Sequence, residues 1–111
     1  MTTENEQDDS ALRHRIQTET ATIGFADLAF LYAKGSVVAV HPELNLVDVA
    51  VQVSRDNSEL IADLMQRRLI HRVTDDIARQ WFDENAVVLA SVVSPWVLVQ
   101  VQKTNGSKAW Q

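Results

Sequence analysis

Three observations predict that this chain folds as a single α+β domain. Its 111 residues match the usual length of one domain. Apolar residues recur at helical spacing behind capping residues in the first two thirds of the chain. The last third is rich in valine and is interrupted by Ser94-Pro95, which is typical of a β-hairpin. We therefore expect about five helices, packed mainly on one face of a small sheet of about three strands.

Two helices are predicted near the start of the domain. Leu12, Ile16 and Ile23 lie on one side of a charged stretch, which favours a first amphipathic helix from Ser10 to about residue 20. Gly24 ends that pattern. A second helix is predicted over residues 25–34, stopped by a glycine at position 35 that is free to adopt a positive φ.

A strand and three further helices follow. Val37–Val40 is apolar on both faces and predicts a short strand. Asn45 with an acidic residue three positions later predicts a helix start, and apolar residues from Leu46 to Val53 recur at helical spacing. Because that segment is rich in β-branched valine, a strand is the alternative. Similar caps at residues 56–59 and 74–76 predict two more helices, the first ending near Arg68.

The C-terminal third is predicted to be β-structure. Val87–Val93 has no polar alternation, as in a strand covered on both faces, either by helices of this chain or by a second copy. In the segment Val97–Val101, every second residue is valine, and the valines alternate with Leu98, Gln100 and Gln102. This pattern is typical of a half-buried strand. A tight hairpin through Ser94-Pro95 is favoured over one long bent strand.

Both ends of the chain are expected to lie outside the domain. Residues 1–9 carry four acidic side chains and no basic one, which predicts a disordered acidic tail. The domain is expected at residues 10–102 and a flexible tail at 103–111. The first nine residues account for −4 of the net charge of −5, so the rest of the chain is nearly neutral. That balance argues against a strongly basic nucleic-acid coat.

Little in the sequence points to catalysis. Without cysteine there is no thiolate nucleophile and no Cys-ligated metal, and the three histidines lie in different segments. Four residues on different segments are candidates for a small carboxylate/His site. Their carboxylates, however, are also explained by positions in the first turns of predicted helices, where they interact with free N–H groups. The four are His41, Asp48, His71 and Asp76. We predict no catalytic residue, no cofactor and no metal, and keep an enzyme as a weak alternative.

Nucleic-acid binding is the second alternative. Arg67, Arg68 and Arg72 fall within six residues at the end of a predicted helix, and helices followed by a hairpin would suit a winged-helix-like protein. The connection at Ser94-Pro95 contains no basic residue, however, and arginines at a helix C-terminus are expected for electrostatic reasons alone.

A protein-interaction or regulatory module is the favoured interpretation. Trp96 beside Pro95 is a large apolar residue at a predicted turn, and tryptophan is enriched among the residues that dominate binding energies. Trp81 and Tyr32 are the other candidate interaction residues. The partner would be another protein or a second copy of the chain. The acidic N-terminus is unlike a signal peptide, and the longest apolar run is far short of a membrane span, so we expect a cytoplasmic protein without a membrane partner.

Three stretches resemble a small bacterial family that is a domain of unknown function. They are residues 20–35, Leu44–Ala50, and Ala90–Gln100 with its PWVLVQ motif. The similarity covers about residues 12–102, although Gly24-Phe25 stands where the family would have proline and tryptophan. The resemblance implies a bacterial, cytoplasmic protein and no known activity, cofactor or catalytic residue.

Overall fold

Helices and strands are mixed irregularly along the chain, as in an α+β fold. The structure is a computed structural model that describes residues 2–101, with side chains from Ser10 onwards. The helices are α1 (Thr2–Glu19), α2 (Ala29–Ala33), α3 (Leu46–Ser54), α4 (Ser58–Gln66) and α5 (Asp75–Asp83), and a 3₁₀ turn at Phe25–Leu28 precedes α2. The strands are β1 (Ala21–Gly24), β2 (Val37–Val40), β3 (Ile70–Arg72), β4 (Val87–Val93) and β5 (Trp96–Val101). The predicted α+β class and five α-helices are confirmed.

All five strands form one mixed sheet in the order β1-β4-β5-β2-β3. β4 and β5 make the expected tight hairpin, in which Val93 pairs with Trp96. β5 also pairs in parallel with β2. The outer strands β1 and β3 run antiparallel to β4 and β2. The hairpin therefore lies inside the sheet, and the short strands β1 and β3 form its edges.

The sheet is larger than expected because two strands were missed. β1 has four residues and β3 has three, too few to show a period of two in the sequence. Ile23, which we counted with the apolar side of the first helical pattern, lies in β1 opposite Val88. The second helix is also shorter than expected, because its first turn, Phe25–Leu28, is 3₁₀.

The first helix starts earlier than expected. α1 begins at Thr2, whereas we expected the first helix to start at Ser10. The acidic tail expected at residues 1–9 stays a prediction. The predicted tail at 103–111 lies outside the described residues. The domain limits at 10 and 102 stay predictions.

Each face of the sheet has its own hydrophobic cluster. β2 illustrates the division, because Val37 and Ala39 belong to one cluster and Val40 to the other. The 3₁₀ turn, α2 and α5 cover the first face, which we call the aromatic layer. α1, α3 and α4 cover the second, which we call the three-helix layer. Helices therefore cover both faces, whereas we expected them mainly on one.

The helix boundaries follow from local hydrogen bonds. Side chains of Asn45, Asn57 and Thr74 accept from backbone N–H groups three residues on and so cap α3, α4 and α5, as predicted. The cap and four buried apolar residues make Leu46–Ser54 a helix rather than the alternative strand. α2 ends as predicted at Gly35, where φ is +77°. α4 ends in the same motif at Arg68, with φ at +61°.

Candidate interaction surface at the hairpin tip

The turn between β4 and β5 places apolar side chains at the surface. Ser94 and Pro95 are exposed, and Trp96 directly after them is half-buried. Val92, just before the turn, is 60% exposed. We call Val92, Ser94, Pro95 and Trp96 the hairpin tip. Trp96 and Pro95, two of the residues proposed from sequence, thus lie together on one surface feature.

The Trp96 ring is stacked under a cation. The Cζ atom of Arg72 lies 5.3 Å from the centroid of the indole, within range of a cation–π interaction. β2 separates the two strands concerned, and Arg72 reaches across it from its place opposite Val38. Among the described residues Arg72 forms no ion pair, so its charge is free to meet a carboxylate from elsewhere.

The hairpin tip is apolar on both faces of the sheet. Trp96 packs against the cluster of the three-helix layer. Val92 pairs with Val97, whose side chain belongs to the cluster of the aromatic layer, so Val92 points to that side. Apolar side chains of the hairpin tip therefore lie on both faces of the sheet.

Trp81 is a core residue and is not available at the surface. Its side chain is 1% exposed and meets the ring of Phe25 edge to face, with centroids 5.0 Å apart. The Nε1 atom of Trp81 is buried without a hydrogen-bond partner among the described residues. Trp81 lies one helical turn after buried Ala78, on the side of α5 that faces the sheet.

Tyr32 lies at the rim of the aromatic layer. It is half-buried and tilted against Phe25, and its hydroxyl donates a hydrogen bond to the carboxylate of Asp75. That hydrogen bond, followed by partial burial and the charge of the carboxylate, raises the pKa of Tyr32 above its ordinary value. Tyr32 thus joins α2 to the first turn of α5.

The three candidate nucleic-acid residues have three different environments. Arg67 pairs with Asp63 one turn earlier on α4, at 3.3 Å. Arg68 occupies the left-handed position that ends α4. Arg72 lies on β3 against Trp96. The hairpin that would serve as a wing is the inner pair of the sheet rather than a projecting ribbon. The geometry therefore gives the nucleic-acid hypothesis no support beyond the sequence.

The carboxylate/His residues do not form one cluster. Asp48 lies on α3 in the three-helix layer and pairs with Arg13 of α1. His71 lies opposite Ala39, on the face of the aromatic layer. Nδ1 of His41 accepts from the backbone of Glu43 at 3.0 Å. Asp76 is exposed in the first turn of α5. Residues 10–101 contain no group of three His, Asp or Glu able to hold a metal ion.

Sequence reasoning missed the role of Gln100, the last residue of the PWVLVQ motif. Its side-chain amide donates to the backbone carbonyls of His41 and Leu44, at 3.0 and 2.6 Å. In the sequence Gln100 is only the polar member of an alternating strand, so nothing there distinguishes it from a solvated side chain. The structure shows that it fixes the loop between β2 and α3.

Two side-chain hydrogen bonds join the three stretches on which the resemblance rests. Gln100 links the C-terminal stretch to Leu44 at the start of the central one. Thr20, in the first stretch, donates to the buried hydroxyl of Ser91 in the third, at 3.1 Å. The motif residues therefore connect segments that are distant in the sequence.

Within the described residues no helix is long and apolar enough to cross a membrane.

Comparison with other proteins agrees with this fold. The model of a family described as a protein of unknown function, DUF2288, matches residues 11–101. The NMR solution structure of PA1075 from Pseudomonas aeruginosa is similar, with a TM-score of 0.76 and 30% sequence identity. The similarity covers 88% of this chain and 91% of that one. No curated protein matches. The chain therefore belongs to the DUF2288 family of proteins of unknown function.

Proposed function

We propose that this protein is a non-enzymatic interaction or regulatory module that binds another protein through its hairpin tip. The observation that carries the proposal is the half-exposed Trp96 stacked with Arg72 at the hairpin tip, with exposed Val92 on the opposite face of the sheet. Tryptophan and arginine are the residue types most enriched among energetic anchors of protein interfaces. Scattered exposed apolar residues are ordinary, but here two of them flank one turn, one on each face of the sheet.

The hairpin tip is held rigidly. β4 and β5 are hydrogen-bonded to each other and are flanked by β1 and β2 on their outer sides. Val93 and Val97, next to the turn, are buried in the two clusters. A surface that is already ordered loses little conformational entropy on binding, which favours affinity.

Charge suggests the chemistry of the partner. The guanidinium of Arg72 lies over an aromatic ring and has no carboxylate partner in the described residues. A partner that places an apolar side chain against Trp96 and a carboxylate against Arg72 would satisfy both groups. Charge-assisted pairing of this kind would add specificity to the apolar contact.

Site-specific cross-linking in bacterial cells tests the proposal. A photoreactive amino acid is placed at position 95 of the full chain and, as a matched control, at exposed Gln66 on α4. We expect one protein to be cross-linked from position 95 and not from 66. Identical cross-linking from both positions, or none from position 95, would count against the hairpin tip.

Affinity measurements with the purified cross-linked protein complete the test. Trp96→Ala and Val92→Ala should each weaken binding measured by titration calorimetry, the first by tenfold or more. Met65→Ala, an exposed apolar residue of α4, is the control and should bind like the wild type. Because Val92 is largely exposed, its substitution leaves the fold intact. Unchanged affinity in both tip variants would refute the proposal.

A further inference from the structure

The two edges of the sheet differ in how their backbone groups are satisfied. An edge strand presents unpaired N–H and C=O groups, and proteins usually protect such an edge with charge, proline or a covering group. β3 is protected in this way, because it carries Arg72 and because Nδ1 of His71 lies 2.8 Å from the outward carbonyl of that arginine. β1 is the other edge.

β1 has no comparable protection among the described residues. Its sequence, Ala21–Gly24, contains no charged residue and no proline. The hydrogen bond from Phe25 N–H to the Ala86 carbonyl, 2.8 Å, fixes which residues of β1 face β4. By the alternation of an antiparallel ladder, Ile23 and Ala21 face β4, and both backbone groups of Thr22 face outward. The N–H of Gly24 faces outward as well.

We propose that β1 pairs with β1 of a second copy of this chain, antiparallel and centred on Thr22. The outward groups are self-complementary in this register. Each Thr22 N–H donates to the Thr22 carbonyl of the second copy, and each Gly24 N–H comes level with the Thr20 carbonyl. The two five-stranded sheets then form one continuous sheet across a two-fold axis.

The side chains of β1 suit that arrangement. Thr22 lies opposite Thr22 of the second copy on one face, and threonine pairs of this kind stabilise antiparallel sheets. On the other face, half-buried Ile23 lies opposite exposed Ala21, in the type of pair whose side chains approach most closely. Because β1 contains no charged residue and no proline, a neighbouring strand can approach to the usual spacing.

The second copy is favoured over a peptide of another protein because each strand supplies the donors and acceptors that the other needs. In both copies these groups belong to Thr20, Thr22 and Gly24. The proposal is independent of the hairpin tip. Thr22 and Trp96 lie on different strands, and each can be changed without touching the other.

Charge pairing at position 22 tests the proposal. In light scattering behind size exclusion, the wild type should have about twice the mass of the 12.5 kDa chain. Thr22→Lys and Thr22→Glu should each give the monomer mass, since like charges then lie directly opposite one another. An equimolar mixture of the two variants should recover the dimer mass. Gln66→Lys is the matched control and should behave like the wild type, as should Trp96→Ala.

Hydrogen exchange adds an independent measurement. The amides of Thr22 and Gly24 should be protected in the wild type and lose protection in Thr22→Lys, while the amide of Ile23, bonded to β4, stays protected. A monomeric wild type at its highest soluble concentration would overturn the proposal. So would a dimer whose mass is unaffected by both charge substitutions, because the interface would then lie elsewhere.

Discussion

The side chain of Gln100 in the central strand β5 donates a 2.6 Å hydrogen bond to the backbone carbonyl of Leu44. A second bond from the same amide goes to His41, so one side chain satisfies two loop carbonyls. The loop ends at Asn45, the cap of α3. Gln100 therefore fixes the loop that leads from β2 into α3.

Replacing Gln100 should destabilise the fold. Gln100→Ala leaves both loop carbonyls without their donor, which should cost about 1–3 kcal/mol in the free energy of unfolding. Urea denaturation followed by circular dichroism measures it. Gln66→Ala, on an exposed helix surface, is the control and should change the free energy by less than about 0.5 kcal/mol. A Gln100→Ala variant as stable as this control would contradict the assigned role.

The conformation of Arg68 predicts a stabilising substitution. Its φ of +61° is unfavourable for a side chain with a Cβ atom and ordinary for glycine. Arg68→Gly should raise the free energy of unfolding by up to about 1 kcal/mol. Arg67→Gly is the matched control, because Arg67 has a right-handed conformation with φ at −84°, and it should lower stability. Equal effects of the two changes would refute the reasoning.

The indole N–H of Trp81, buried without a partner among the described residues, predicts that two core variants differ in stability. Trp81→Ala removes a fully buried side chain and should cost about 3–5 kcal/mol. Trp81→Phe removes the buried N–H together with part of the ring, and the two effects oppose each other. We expect it to cost less than half as much as alanine in thermal or urea unfolding. Similar losses in the two variants would mean that Nε1 has a partner.

Tyr32 should titrate above the ordinary tyrosine range. It is the single tyrosine of the chain, so phenolate absorbance reports it alone. Asp75→Asn should lower the pKa of Tyr32 towards its usual value, because it replaces the charged acceptor that favours the protonated phenol with a neutral, weaker one. The neighbouring change Asp76→Asn is the control and should leave the titration nearly unchanged.

The same shift has a defined sign for stability. Because the folded pKa of Tyr32 lies above the unfolded one, its contribution is complete below the unfolded pKa of about 10. That contribution is lost as the pH rises through the folded pKa. Tyr32→Phe should lack this alkaline loss of stability. An identical alkaline decline in the wild type and Tyr32→Phe would contradict the prediction.

We expect no salt-dependent nucleic-acid binding. Electrophoretic shifts with duplex DNA and RNA at low salt should show free probe only, because the hairpin is an inner element of the sheet and Arg67 is already paired. Binding that weakened with added salt, and fell further in a variant with Arg67, Arg68 and Arg72 changed to alanine, would restore that hypothesis.

The parts of the fold predicted correctly are those with strong local signals. Capping by Asn45 and helical spacing identified α3 despite its valines, and the interruption at Pro95 identified the hairpin. β1 and β3 lack such signals, since their formation depends on pairing with strands far away in the chain. Their existence is a tertiary effect that short segments do not encode locally.

The candidate site was predictable only in part. Trp96 was identified because a turn is an unusual place for tryptophan, and it does lie at the surface. Its stacking with Arg72 joins residues from separate strands and has no trace in the sequence. Gln100 was passed over for the same reason, because its hydrogen-bond partners are backbone groups more than fifty positions away.

The strand order also determines when the sheet can form during synthesis of the chain. β2 and β3 can pair as they emerge, but β5, the last of the described strands along the chain, joins them to β1 and β4. Until β5 leaves the ribosome, the two halves of the sheet cannot be united, and their apolar faces stay open to other molecules. The five-stranded sheet therefore cannot be completed before β5 has left the ribosome, and its two halves need protection from other molecules until then.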